Sequence, residues 1–212
     1  MYKFCFYALA KERRCPALRK TGVDLPSFLQ DVLKIRNKDT YRMISDHAKI
    51  LQFNNKETIY RPYDLDSRFC YLIKGKARAY VIDENGHDLT FRFAYTPGDI
   101  LLNENDSIKD GSYYWESIGR TWVLLIDKDL MKDAMHSDPN LRSYMISYFQ
   151  ECYADQSALH YSLVTMHAKE RYQWFMDYYE DFPSEIPQKY VASFLNMLPQ
   201  TLSEVRSKLQ NS

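Results

Sequence analysis

Between residues 58 and 126, short segments rich in β-branched and aromatic residues alternate with turn signals. The segments are 58–60, 69–73, 77–82, 89–94 and 121–126. Asn85-Gly86 is the strongest turn signal, because these residue types supply the positive φ angles of a tight hairpin. Lys74-Gly75-Lys76 and Pro97-Gly98-Asp99 mark two further turns. Short strands at a spacing of roughly 8–12 residues predict a β-sandwich or β-barrel.

Helical periodicity flanks this region on both sides. Before it, residues 26–33 and 39–51 place apolar side chains at helical spacing. After it, Asp138-Pro139-Asn140 opens a segment that keeps helical spacing to about His167. A helix of this length spans about 45 Å. The order of segments predicts an α+β chain.

One face of the long helical segment is apolar. Its members are Leu141, Met145, Tyr148, Cys152, Leu159, Leu163 and Met166. Four of them recur at a heptad spacing, which approximates a coiled-coil seam with a polar interruption near Asp155 and Gln156. A small barrel cannot cover a seam of this length, so we expect a second copy of the chain to cover it. The alternative is a long helix that lies across its own domain.

The segment YVASFLNMLPQTLSEVRSKL, residues 190–209, predicts two short helices with a break between them. Asn196 tolerates a left-handed backbone and suits a helix stop, and Pro199 is acceptable in the first turn of a new helix. Beyond it, Leu202, Val205 and Leu209 share one face that we expect to be buried, while the opposite face is polar. This pattern is typical of a helix-turn-helix, although two packed helices joined by a proline turn share it.

Composition limits the partners and the compartment. The 212 residues carry equal numbers of basic and acidic side chains, so net charge does not indicate a nucleic-acid partner. The region after residue 167 is slightly acidic, which counts against strong DNA binding. No apolar run approaches the roughly 20 residues of a membrane span, and no signal peptide is visible. Four scattered cysteines form no metal-binding or redox spacing, so we expect a cytoplasmic protein with reduced thiols and no membrane partner.

The run YLIKGKARAYVIDENGHDLTFRFAYTPGDI, the long helix and the terminal helix pair follow one another along the chain. In this order the chain resembles the Crp/Fnr family of bacterial transcription regulators. The stretch ERYQWFMDYYEDFPSEIPQKYVASFL and the short tail after the last helix look like the branch common in Bacteroidetes-type bacteria. The resemblance implies an N-terminal double-stranded β-helix (jelly-roll) barrel of the cyclic-nucleotide-binding type over residues 25–137. It also implies a long dimerisation helix over 138–167 and a C-terminal helix-turn-helix domain over 168–212. Residues 1–24 match no part of this pattern, and they are either a basic N-terminal extension of unknown role or a start-site artefact.

The resemblance also directs attention to an effector pocket. In members that bind cAMP, a glutamate accepts from the ribose and an arginine pairs with the cyclic phosphate. Here Asn103 or Glu104 falls near the glutamate position, and Tyr113, Tyr114 and Trp115 stand where the arginine belongs. Burial of a phosphate without a cation is costly, so we expect no cAMP binding. The aromatic residues either contact another small molecule or fill the barrel as core. No haem, iron–sulfur cluster or other metal is expected from the placement of cysteines and histidines.

DNA contacts are implied on the second helix of the terminal pair. The candidates are Gln200, Thr201, Ser203, Glu204, Arg206 and Lys208. Gln200 suits adenine. Glu204 stands where many members place an arginine that reads guanine; phosphates repel its carboxylate, but that carboxylate accepts from cytosine N4. Arg206 and Lys208 suit phosphates, with a solvated helix face as the alternative.

These features predict a sequence-specific transcription regulator. It would bind a palindromic operator in double-stranded DNA as a homodimer, with RNA polymerase as a further partner. The alternative is a degenerate member that binds a ligand or another protein without reading DNA, which Glu204 and the near-neutral terminal module favour. An enzyme is not expected, because the strand region holds only one histidine, His87, and no nucleophile–base set or phosphate-binding glycine loop is visible.

Overall fold

The computed structural model describes residues 24–61, 68–101 and 113–210. The helices are α1 (Leu25–Ser27), α2 (Lys38–His47), α3 (Lys128–Ser137), α4 (Pro139–Thr165), α5 (Ala168–Tyr178), α6 (Gln188–Phe194) and α7 (Pro199–Gln210), and a π-helical turn, Phe28–Val32, follows α1. The strands are β1 (Lys49–Phe53), β2 (Thr58–Tyr60), β3 (Arg68–Ile82), β4 (Asp88–Ala94) and β5 (Tyr114–Asp127). The predicted α+β class is confirmed.

The five strands form one sheet, in the order β1-β5-β3-β4, with β2 paired to β5. Both β1 and β2 run antiparallel to β5. In the β1–β5 register Leu51 faces Val123, and both side chains are buried. The central strands β5 and β3 are neighbours in the sheet although they lie far apart in the chain.

Two predictions of secondary structure were wrong. The turn expected at Lys74-Gly75-Lys76 is absent, because β3 continues through it. Gly75 has a φ of +107°, and a Cβ there would lie 2.6 Å from the carbonyl oxygen of Arg120. This glycine permits a close approach to β5 instead of a reversal of the chain. The helix expected over 39–51 ends at His47, and the residues from Lys49 onward pair with β5 as a strand.

The two glycine turns further along the chain are confirmed. In the 83–87 hairpin loop the Asp83 carboxylate accepts from the backbone N–H groups of Asn85 and His87, and Gly86 has a φ of +82°. In the next turn Gly98 has a φ of +101°. The Asp99 carboxylate there accepts from the backbone N–H groups of residues 95 and 96. Carboxylates that accept local N–H groups are the ordinary way to stabilise such turns.

The described residues divide into two compact units. The first contains the residues up to Ala77 together with Ala94–Tyr144. Its core is apolar and includes Leu29, Leu33, Ile44, Trp115, Leu124 and Met131, all essentially inaccessible to solvent. Asp127 caps α3, where its carboxylate accepts from the backbone N–H of Asp129 at 2.9 Å.

The second unit contains the β3–β4 hairpin, Arg78–Phe93, and the described residues from Met145 onward. Its core is an aromatic cluster formed by Phe93, Phe175, Tyr179, Phe182 and Phe194. The Phe175 and Phe182 rings meet edge to face with centroids 4.9 Å apart, a favoured arrangement for aromatic pairs. This cluster packs the hairpin, α5 and α6 into one body.

Among the described residues, no helix is long and apolar enough to cross a membrane.

Candidate nucleic-acid interface

The turn between α6 and α7 ends α6 with specific backbone hydrogen bonds. The backbone N–H of Met197 donates to the Ala192 carbonyl at 2.8 Å, and the N–H of Asn196 donates to the Ser193 carbonyl at 3.0 Å. Asn196 has a φ of +50°, as its left-handed tolerance predicts. These bonds form a Schellman motif, which ends α6 and redirects the chain into Pro199 at the start of α7.

One face of α7 packs and the other is open. Leu202 and Val205 are buried, as the spacing predicted, whereas Leu209 is half-buried. Helix α7 packs against both α5 and α6. Two packed helices joined by a tight turn, with the second one open along one side, are the arrangement of a helix-turn-helix.

The residues predicted to contact DNA mostly lie on the open face of α7. Gln200, Ser203, Glu204 and Lys208 are exposed, whereas Thr201 and Arg206 are half-buried. Gln200 and Glu204 stand four positions apart and therefore share one side of the helix. The Ser207 hydroxyl donates to the Ser203 carbonyl at 3.0 Å. The face combines an amide, hydroxyls and a carboxylate within its first two turns, and its exposed lysine follows in the third. Contact of these residues with DNA stays a prediction.

The long helix α4 has two apolar faces. Leu141, Met145, Tyr148 and Leu159 of the predicted seam are already buried within the single chain. Cys152, Leu163 and Met166 are half-buried. The opposite face exposes Ile146 (54%), Tyr153 (77%), Tyr161 (61%) and Val164 (70%), here called the α4 stripe. The α4 stripe is therefore an apolar surface that the single chain leaves exposed, while a role of the predicted seam in dimer formation stays a prediction.

The predicted pocket aromatics lie at the start of β5. Trp115 is fully buried and Tyr113 is nearly so, with their rings edge to face at a centroid distance of 6.5 Å. Tyr114 points to the other side of the strand and is half-buried. Asn103 and Glu104 fall outside the described residues, as does the 1–23 part of the predicted N-terminal extension. The pocket itself thus stays a prediction, while Trp115 and Tyr113 are core residues.

Sequence reasoning missed Arg78. This arginine lies within the β3 run ARAYV, is 2% exposed, and belongs to the same compact unit as α6 and α7. The available signal was a charged residue within a run of small and apolar strand residues. An arginine buried in such a run is almost always paired, so it implies a partner elsewhere in the chain.

No protein-family model and no curated protein matches this sequence. Solved structures share the fold. FixK2 from Bradyrhizobium japonicum is 17% identical with a TM-score of 0.65, over 77% of this chain and 85% of that one. A cyclic nucleotide-binding domain containing protein from Listeria monocytogenes is 15% identical with a TM-score of 0.68, over 86% of this chain and 90% of that one. TTHA1359 from Thermus thermophilus, a transcriptional regulator of the CRP/FNR family, is 18% identical with a TM-score of 0.60, over 76% of this chain and 86% of that one.

At these identities the likeness establishes the fold. The chain has the fold of Crp/Fnr-type transcriptional regulators, as the order of its motifs predicted.

Proposed function

We propose that this chain is a sequence-specific DNA-binding transcription regulator that acts as a homodimer. The observation that carries the proposal is the α6–α7 pair: a Schellman turn leads into a helix with one buried and one open polar face. Solved structures with this fold include proteins described as transcriptional regulators. In this reading, α7 enters the major groove and Gln200 meets base edges.

The α4 stripe supports the homodimer. Ile146, Tyr153 and Val164 are separated by 7 and 11 residues, so they stack along one line of the helix. A second copy of α4 that packs against this line by two-fold symmetry would remove large apolar surfaces from water. Two-fold symmetry would then present two α7 helices to half-sites about one DNA turn, or about 34 Å, apart.

We propose further that the β-rich unit does not hold a cyclic nucleotide. By resemblance to members that bind cAMP, Tyr113, Tyr114 and Trp115 take the place of the arginine that pairs with the phosphate. In the structure Trp115 is fully buried. A side chain without solvent access serves packing, so these residues favour a barrel filled by its own core. Binding of radiolabelled or fluorescent cAMP by the purified protein tests this point, and saturable binding at micromolar concentration would contradict it.

The exposed carboxylate of Glu204 favours a second candidate function. An acidic side chain in the first two turns of α7 lowers affinity for any DNA, because phosphates repel it. In this second reading the chain is a protein-interaction or ligand-binding module that keeps the fold without reading DNA.

Selection from a random pool of double-stranded DNA at moderate salt separates the two functions. The purified chain is compared with a Gln200→Ala, Arg206→Ala variant, and with a control in which exposed Gln173 and Lys169 of α5 are replaced by alanine. Enrichment of a palindrome by the wild type and the control, lost in the first variant, supports the regulator. No enrichment, with or without cell extract as a source of effector, supports the interaction module instead.

A further inference from the structure

Arg78 ties the β3–β4 hairpin together from the inside. Its guanidinium donates to the Thr90 hydroxyl at 2.9 Å and to the Asp88 carboxylate at 2.5 Å. Arg78 is 2% exposed, whereas the Asp88 side chain is 42% exposed. A guanidinium withdrawn from water needs such a partner, because an unpaired buried charge is strongly destabilising.

The same guanidinium contacts two aromatic rings. Its central carbon lies 4.3 Å from the ring centroid of Tyr80, on its own strand, and 3.7 Å from that of Tyr190, on α6. Tyr190 is 3% exposed. A cation held over a ring is attracted by the negative face of that ring, most strongly where water is excluded. Arg78 thus links the hairpin directly to the first helix of the α6–α7 pair.

A second set of bonds joins the same two elements. The backbone N–H of Thr90 donates to the Ser193 hydroxyl at 2.8 Å, and this hydroxyl donates to the Asp88 carbonyl at 3.2 Å. The Phe93 and Phe194 rings lie 5.2 Å apart beside them. Asp88 therefore serves twice: its carboxylate pairs with Arg78, and its backbone carbonyl accepts from α6.

We infer that Arg78 is a positioning residue for DNA reading: it holds α6 against the hairpin and so sets the orientation of α7. This inference rests on the proposed function. The path is short, because Ser193 itself accepts a bond of the Schellman turn that leads into α7.

The chemistry of this contact requires arginine. The planar guanidinium stacks on rings and donates in a fixed fork, whereas a lysine ammonium is a compact, strongly hydrated point charge. Lysine at position 78 could reach the Asp88 carboxylate but would not reproduce the contacts with Thr90 and both rings. We therefore expect Arg78→Lys to fail in the same way as Arg78→Met, although less severely.

Hydrogen exchange of the full-length chain tests the mechanical part of the inference. In Arg78→Met, amides of residues 188–197 should exchange about tenfold faster or more, since local opening sets their rate. Amides of β1 should keep their protection. Exposed Arg120 gives the matched control, and Arg120→Met should leave both regions unchanged. Faster exchange confined to residues 78–93 would overturn the inference, because Arg78 would then stabilise only its own hairpin.

Tyr190 provides a second route to the same answer if Arg78→Met does not fold. Tyr190→Phe keeps the ring over the guanidinium, whereas Tyr190→Leu removes it, so residues 188–197 should exchange faster in Tyr190→Leu than in Tyr190→Phe. Equal exchange rates of these amides in the two variants would also contradict the inference, because the contact between the Tyr190 ring and the Arg78 guanidinium would then not stabilise α6.

DNA affinity tests the functional part. On an operator enriched by the wild type, Arg78→Met should bind about tenfold more weakly with an unchanged dependence of log K on log salt, because no phosphate contact is lost. Wild-type affinity in a variant with loosened α6 would overturn the positioning role. Absence of any operator for the wild type would instead overturn the proposed function, and the exchange measurement would still decide whether Arg78 holds α6.

Discussion

The Asp138 carboxylate accepts a hydrogen bond of 2.8 Å from the backbone N–H of Asn37, 101 residues earlier in the chain. The same oxygen accepts from the N–H of Arg36, and the other oxygen accepts from the N–H groups of Asn140 and Leu141. Asp138 is fully buried. One side chain therefore caps α4 and holds the residues that lead into α2.

Asp138→Asn should destabilise the chain by about 1–3 kcal/mol at neutral pH, the typical cost of a buried polar group left unsatisfied. The amide keeps one acceptor oxygen, but its NH₂ group then faces backbone donors. The free energy of unfolding from a urea titration measures the effect. Asp133→Asn on the exposed side of α3 is the control, and an equal loss in both variants would contradict the role of Asp138.

The same residue predicts a dependence of stability on pH. Burial alone would raise the pKa of the Asp138 carboxyl, but the N–H groups of Asn37, Arg36, Leu141 and Asn140 outweigh it and hold this pKa below its ordinary value. A lowered folded-state pKa gives stability that is present above the unfolded-state value, about 3.9, and is lost as pH falls through the folded-state pKa. Below about pH 4 the free energies of unfolding of wild type and Asp138→Asn should therefore converge. A constant difference down to about pH 2 would show that the carboxylate charge does not contribute.

Gly75→Ala should destabilise the chain far more than Gly86→Ala. Both glycines have positive φ, so each alanine pays the left-handed penalty of about 1–2 kcal/mol. At Gly75 the new Cβ also meets backbone atoms of Arg120 and Thr121 within 2.7 Å, whereas nothing lies within 4 Å at Gly86. We expect an additional cost of about 1–3 kcal/mol from this overpacking. Chemical denaturation curves of the two variants measure it, and equal midpoints would show that β3 and β5 move apart freely.

Tyr153→Glu should weaken a homodimer formed through the α4 stripe. The substitution removes the packing of an aromatic ring and buries a carboxylate that would otherwise be hydrated. Loss of a central aromatic alone costs about 2 kcal/mol or more, which raises the dimer dissociation constant about 30-fold. Sedimentation equilibrium measures the dissociation constant. Met176→Glu on α5 is the control, because Met176 is 51% exposed but lies off α4. A wild-type dimer in Tyr153→Glu would place the interface elsewhere.

Glu204→Arg should raise affinity for DNA of any sequence and steepen its salt dependence, because repulsion of phosphates is replaced by attraction. The variant should also bind more tightly to sites with guanine at the base pair that faces position 204, since arginine donates to the O6 and N7 atoms of guanine. Fluorescence anisotropy over a range of salt concentrations measures both effects. Glu180→Arg makes the same charge change outside α7, and an equal gain there would mean that total charge, not the reading face, controls affinity.

Local patterns predicted most elements, since strands, glycine turns and the α6–α7 stop depend on neighbouring residues. The pairing of β1 with β5 could not be read locally, and Leu51 fits a helix face as well as a strand. A glycine that permits close approach, as at Gly75, carries the same signal as one that turns the chain. For α4, periodicity identified the apolar seam. It did not show that the seam is largely buried within the single chain, or that the exposed apolar side chains lie on the opposite face. Apart from Tyr80 on the same strand, the partners of Arg78 lie 10, 12 and 112 positions away, and no spacing rule connects these three with it.

The β3–β4 hairpin belongs to the second compact unit, which limits how two proteins of this fold can be combined into a chimera. A chimera with a single joint near residue 167 would take the hairpin from one parent and α6 and α7 from the other. Tyr190 and Ser193 would then have to pack against Arg78 and Asp88 of a different sequence. A functional chimera would have to transplant residues 78–93 together with the C-terminal segment, as a discontinuous cassette with three joints instead of one.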